Sequence, residues 1–188
     1  SIEKDLPLFQ PEKLDERVEQ ELKKQQPDLI IVADYGKIIP PNILKVPLRG
    51  ILNVHPSLLP KFRGSSPIQN ALLAGEKETG TTIMLLDEGM DTGAILSQEK
   101  TAIQPTETAS ELSLRLSQLS VQLLLKTLPF WLAGKIEPRK QDNVRASLCQ
   151  MIKKEDGRII WSHTATEIFN RYRAFENWPG IYAFWPDD

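Results

Sequence analysis

Five consecutive apolar residues, Leu29-Ile30-Ile31-Val32-Ala33, constrain this chain more than any other feature. A half-exposed strand alternates polar and apolar side chains. An uninterrupted, β-branched run fits a strand covered on both faces, as in parallel sheets flanked by helices. The surrounding signals alternate in the same sense. Leu14, Val18 and Leu22 recur at helical spacing, and Pro27 predicts the end of that helix. Pro40 and Pro41 open a short turn or helix. Gly50-Ile51-Leu52-Asn53-Val54-His55 reads as a second strand that turns polar at its end. Ser66-Pro67-Ile68-Gln69 predicts a helix start: a Ser cap, Pro in the first helical position and Gln three after the cap. Gly75 is its expected stop. Residues 81–86 and 94–96 read as two more strands joined by the loop 87–93. Thr108 and Glu111 predict a capping box for the longest helix, whose face is marked by Leu112, Leu116, Leu119 and Leu123 and which runs towards Pro129. The expected fold is α/β, a Rossmann-like, mostly parallel sheet with flanking helices.

Beyond Gly134 the pattern changes. Residues 135–147 are polar and without periodicity, the signature of a linker. A first domain is therefore expected over residues 1–134 and the start of a second over residues 148–188. In the second domain Ala165, Ile168, Phe169 and Tyr172 suggest a short amphipathic helix. Trp178-Pro179-Gly180 reads as a turn, and Ile181-Tyr182-Ala183-Phe184-Trp185 as the start of a strand.

Charge and composition narrow the function classes. With 188 residues and a formal net charge of −2, the chain is not a polycation, so any nucleic-acid contact must use local positive charge. Lys135, Arg139, Lys140, Arg145, Lys153, Lys154 and Arg158 form one such cluster, although a solvated surface is the default explanation of such a run. The single cysteine, Cys149, has no internal disulfide partner. It fits a reducing compartment, such as the bacterial cytoplasm or an organellar matrix, and reads as a buried structural thiol. No run of 18 apolar residues is present, so no membrane helix is expected. His163 and Cys149 lie far from His55 in sequence and give no metal-ligand spacing, so no metal is expected.

The chemistry-bearing stretch runs from Asn53 to Gly93. Strand side chains alternate with period two, which puts Asn53 and His55 on one face at the C-terminal end of a buried strand. In open α/β sheets that end carries the ligand crevice. The loop Pro56-Ser57-Leu58-Leu59-Pro60 is bracketed by two prolines and is expected to be stiff. Asp91 stands between Gly89 and Gly93, where the backbone can turn sharply. Amide, imidazole and carboxylate together suit a transfer at a carbonyl centre. Yet a histidine at a strand end also serves packing, and Asp87 to Gly93 can be an ordinary hairpin loop.

The order and spacing of Asn53-Val54-His55-Pro56-Ser57-Leu58-Leu59-Pro60, Arg63-Gly64, Pro67-Ile68 and Asp87-Glu88-Gly89-Met90-Asp91-Thr92-Gly93 resemble the folate-dependent formyltransferase family. Residues 32–40, 64–69, 153–162 and 173–180 are most similar to its members that act on initiator methionyl-tRNA. The resemblance implies transfer of a formyl group from 10-formyltetrahydrofolate to the amino group of that aminoacyl-tRNA, by a monomer and without a metal. It implies that Asn53 and His55 stabilise the formyl oxygen, and that Asp91 orients His55 and assists proton transfer. Ser57, Leu58, Leu59 and Pro60 match the folate-binding loop, and Ile38, Ile39 and Gly89 should flank the pterin. Lys61 and Arg63 are candidates for acceptor-end phosphate, the alternative for Arg63 being a pin that holds its loop.

Family members also begin with an earlier strand-helix segment and end in a tRNA-binding β-barrel. The resemblance therefore implies a partial catalytic domain with an exposed sheet edge, followed by the opening of that barrel, and a fragment of doubtful activity alone. Asp34 departs from the small neutral residue expected beside the pterin. Other members, acting on amino sugars or glycinamide ribonucleotide or hydrolysing formyltetrahydrofolate, share the Asn, His and Asp chemistry. An inactive folate- or RNA-binding homologue is a further alternative.

Overall fold

The computed structural model describes residues 6–184. Nine elements follow in chain order: α1 (Glu16–Gln25), β1 (Ile30–Ala33), α2 (Pro41–Leu44), β2 (Ile51–His55), α3 (Pro67–Leu73), β3 (Glu78–Leu85), β4 (Ile95–Ala102), α4 (Ala109–Leu132) and α5 (Ala165–Phe175). The four strands form one sheet in the order β1-β2-β3-β4.

The α/β class stands, but the pairing sense differs from expectation. Among the described strands β1 and β2 are parallel, whereas β2–β3 and β3–β4 are antiparallel. The loop between β3 and β4 is too short for a crossover and forces a hairpin. Between β2 and β3 residues 56–77 hold a loop and, as their helix, the seven-residue α3. At a rise of about 1.5 Å per residue, this helix is shorter than β3 and does not by itself carry the chain back along it.

β1 also departs from the doubly covered strand its composition predicts. Ile30 and Val32 pack with Val18, Ile43 and Ile51. Ile31 on the opposite face is 44% exposed. Within the described residues β1 is an edge strand with one open face, in line with the exposed edge expected above.

On β2 the alternation is decisive. Leu52 faces α4, packing with Ile83 and Leu123, while Ile51 faces α1 and α2. Asn53 and His55 continue the Ile51 face beyond the short helices, where it opens. The long helix α4 is anchored by the predicted capping box of Thr108 and Glu111 and buries Leu112, Leu116 and Leu123. Leu119 is only partly buried. The helix continues through Pro129 to Leu132 rather than stopping there. A proline in the last turn removes only one terminal hydrogen bond.

Three local expectations change. Ser66 precedes α3, but its hydroxyl makes no cap bond; its carbonyl instead accepts from Asn70 Nδ2 at 2.8 Å. In α5 the inward residues are Asn170, Arg173, Ala174 and Phe175, whereas Phe169 and Tyr172 are 42% and 47% exposed. Spacing predicted the helix but not its buried face, because a buried arginine carries no apolar signal. The strand expected at 181–185 is represented by a single bridge between Arg158 and Tyr182, and Trp185 lies outside the described residues. Among the described residues no helix is long and apolar enough to cross a membrane.

Candidate active site

Three polar side chains converge where β2 ends. Asn53 Nδ2 donates to Asp91 Oδ1 at 3.3 Å. Asp91 Oδ2 lies 3.6 Å from His55 Nδ1 and accepts from the Gly64 backbone N–H at 2.8 Å. His55 Nε2 contacts the Phe62 carbonyl oxygen at 2.9 Å. A carbonyl can only accept, so Nε2 carries a hydrogen in this arrangement. The other ring nitrogen is left facing the carboxylate, just beyond hydrogen-bond range. The imidazole is 4% exposed, so its orientation is set by these neighbours and not by solvent.

The loop that supplies Asp91 is held by its own first residue. Asp87 Oδ1 accepts from Gly89 N at 3.1 Å and from Thr92 Oγ1 at 2.6 Å. The sharp turn falls on Asp91 itself, at φ 52°. Aspartate is among the non-glycine residues that tolerate that region. The glycine at 93 is needed for close approach: a Cβ there would stand 1.7 Å from the Leu85 carbonyl oxygen.

A cleft of about 330 Å³ opens beside the trio. Asn53, His55 and Asp91 reach it from one side, and Val32, Tyr35, Ile38, Ile39, Gly89 and Met90 line it elsewhere. The predicted pterin-flanking residues Ile38, Ile39 and Gly89 therefore do meet the catalytic candidates. Asp34, at φ 52°, also lines the cleft. Ser57, Leu58, Leu59 and Pro60 do not line it. Ser57 is fully buried, its Oγ donating to Lys61 O at 2.7 Å, and Leu59 packs into the core against Met84 and Ile95. Thr82 Oγ1 donates to Ser57 O at 2.6 Å, and Gln98 Nε2 donates to Leu59 O at 2.9 Å. This loop is a buttress beneath the site in the described structure.

Lys61 and Arg63 separate. Lys61 is exposed and pairs with Glu76 at 2.8 Å. Arg63 is 6% exposed and turned inward, which accords with the pinning alternative rather than with phosphate contact. Its Nε and Nη2 donate to Gln141 Oε1 at 3.0 and 2.8 Å, and Nη2 also donates to Asn143 Oδ1 at 2.9 Å.

The segment read as a linker is thus bound to the site. Arg139 bridges Ile95, and Gln141 Nε2 donates to the carbonyls of Asp91 and Gly93 at 2.8 and 2.7 Å. Ser147 Oγ accepts from Phe62 N at 2.9 Å. Sequence reading missed Phe62, Gln141 and Ser147. Nothing local marks them, since their roles depend on backbone carbonyls and on partners 48 to 85 positions away.

Cys149 is buried, and its thiol is pushed up to about 11, chiefly by burial and further by the Asp91 charge, with a Ser66 backbone contact opposing. It is the inert thiol expected. A larger groove of about 900 Å³ between α3, α4 and α5 is lined by serines, Gln69, Asn177 and Trp178 and carries no titratable side chain. Among the described residues no group of three or more His, Cys, Asp and Glu side chains could hold a metal ion.

Comparison with known proteins gives the family. Residues 3–128 match the model described as Formyl transferase, and residues 151–188 match Formyl transferase, C-terminal domain. Over 181 residues the chain is 48% identical to a methionyl-tRNA formyltransferase of Chloroflexus aurantiacus, covering 96% of this chain and 58% of that protein. It is 44% identical over 184 residues to the same-named protein of Thermodesulfovibrio yellowstonii, covering 97% of this chain and 59% of that protein. The chain therefore spans under two thirds of the length of these relatives. An N-formyltransferase of Helicobacter canadensis, solved with folinic acid and dTDP-3-aminofucose, superposes with a TM-score of 0.70 at 26% identity, over 79% of this chain and 55% of that one. HypX of Aquifex aeolicus, solved with tetrahydrofolic acid, shares the fold with a TM-score of 0.75 at 21% identity, over 88% of this chain and 28% of that one. With its polar trio at the end of β2 and both family models matched in order, the chain belongs to the formyl transferase family.

Proposed function

We propose that this chain is the catalytic portion of a methionyl-tRNA formyltransferase, which moves the formyl group of 10-formyltetrahydrofolate onto the amino group of methionine carried by initiator tRNA. The observation that carries the reading is the convergence of Asn53, His55 and Asp91 on one cleft. The relatives' names support methionyl-tRNA as the acceptor. The protein acts as a monomer in the bacterial cytoplasm or an organellar matrix.

The pterin lies along Ile38, Ile39 and Gly89, which brings the formyl carbon to the trio. The methionine amine attacks that carbon in its neutral form, and a C–N bond forms as the carbonyl oxygen takes up negative charge. The second N–H of Asn53, not used on Asp91, donates to this oxygen, and the imidazole joins it once its Nε2–H leaves the Phe62 carbonyl on substrate binding. Such donors, fixed in advance, lower a barrier by several kcal/mol. The amine then gives its proton to His55 Nδ1, and Asp91 Oδ2, facing it at 3.6 Å, stabilises the charge that forms. Collapse breaks the bond to the folate nitrogen, which takes up that proton. One C–N bond forms, one breaks, and the proton passes from amine to folate. Asp91 is anchored by Gly64 N and Asn53, so it can steady the imidazole without moving.

The test is formylation of charged initiator tRNA by the full-length protein and its His55→Ala variant. Turnover should fall by roughly 10²–10⁴-fold, the usual worth of a positioned acid-base group, with folate binding largely kept. Unchanged turnover contradicts the assignment. Formylation of a nucleotide-linked amino sugar in place of the tRNA would move the protein to another branch of the family.

A further inference from the structure

Arg63 links the two catalytic side chains through its chain neighbours. The residue before it, Phe62, presents the carbonyl that meets His55 Nε2. The residue after it, Gly64, presents the N–H that holds Asp91 Oδ2. Phe62 takes φ 60°, a left-handed conformation that strains a bulky residue, so this short turn needs outside support. The support comes from far along the chain. Arg63 donates twice to Gln141 Oε1, while the same Gln141 amide donates to the carbonyls of Asp91 and Gly93. One carboxamide thereby closes a ring that contains both sides of the site. All three partners are buried or half-buried, where lost hydrogen bonds are not replaced cheaply.

We infer that Gln141 is a positioning residue for formyl transfer, setting the His55–Asp91 geometry by clamping the Asp91 loop to the Phe62–Gly64 turn. The inference rests on the formyl-transfer reading above. It assigns the inter-domain segment a part in the active site. Asn143 is the natural comparison, because its side chain also accepts from Arg63 but makes no hydrogen bond to the Asp91 loop.

The experiment compares Gln141→Ala, Gln141→Glu and Asn143→Ala in the full-length protein, with formylation of charged initiator tRNA as readout. Gln141→Ala should lower kcat by roughly 10- to 100-fold, the scale of an ångström misplacement. KM for both substrates should change little, and the acidic limb of the pH–kcat profile should move. Gln141→Glu keeps an acceptor for Arg63 but turns an oxygen towards two carbonyls, so it should not restore kcat. Asn143→Ala, which removes one of the Arg63 contacts, should cost at most a few-fold in kcat. All three should stay folded at the assay temperature, the Gln141 variants with midpoints lowered by several degrees. Wild-type kcat in Gln141→Glu, or equal losses in Gln141→Ala and Asn143→Ala, overturns the inference. Failure of the wild-type protein to formylate its tRNA, or an unimpaired His55→Ala, overturns the underlying reading instead.

Discussion

At the scale of single residues, His55 and Asp91 are defined by what holds them as much as by what they are. The imidazole has acceptors at both ring nitrogens, the Phe62 carbonyl and the Asp91 carboxylate. Asp91 in turn is fixed by three contacts that leave it aimed at the ring. The glycine that ends its loop is tested directly by Gly93→Ala. An added Cβ meets the Leu85 carbonyl oxygen at 1.7 Å, and backbone cannot swing aside as a side chain does. Unfolding in denaturant should show a loss of about 1–3 kcal/mol, the scale of steric overpacking, and turnover should fall as Asp91 shifts. A variant with wild-type stability and turnover contradicts the close approach. Strand periodicity and two flanking glycines made Asn53, His55 and Asp91 candidates, but a strand-end histidine and a hairpin loop also read as structure, and only the resemblance of the whole motif string singled out the three. Phe62 was not readable, since it acts through its carbonyl, which every residue type possesses.

Among elements, the junction of α4 and α5 carries the clearest electrostatic signature. Glu107, just before α4, binds Arg115 through two contacts of 2.8 Å and accepts from Gln104 N at 3.0 Å. Its backbone carbonyl accepts from the buried Arg173 of α5 at 3.0 Å. Burial alone raises the Glu107 carboxyl, but the Arg115 contacts and the Gln104 N–H outweigh it and hold it below its ordinary 4.5. A lowered carboxyl stabilises the fold above the unfolded value, and that contribution is lost as pH falls through the lowered folded value. Glu107→Gln should therefore lower stability at neutral pH, by about 1–3 kcal/mol for a charge-assisted contact. The difference from wild type should shrink as pH drops below 4.5. Thermal midpoints measured from pH 7 to pH 3 check this, and a constant difference contradicts it. Helix positions were legible from caps and leucine spacing. The inward face of α5 was not, because Arg173 and Asn170 are buried by satisfying carbonyls and one another.

For the whole molecule, the α/β class followed from alternating strand and helix signals, but the sense of strand pairing did not. Pairing depends on how far each connection can carry the chain, and that is visible only once the ends of β3 and β4 are known. The polar segment after Gly134 read as a tether because local composition carries no record of partners so distant in sequence. In space it binds back on the site through Arg139, Gln141 and Ser147. The central claim is that amide, imidazole and carboxylate act as one unit on one carbon. A double-mutant cycle of His55→Ala and Asp91→Asn, read as single-turnover formyl transfer to charged initiator tRNA, addresses it most directly. Groups acting together lose rate non-additively. The double variant should be about as slow as the slower single variant. Losses that multiply would show two independent groups and contradict the account.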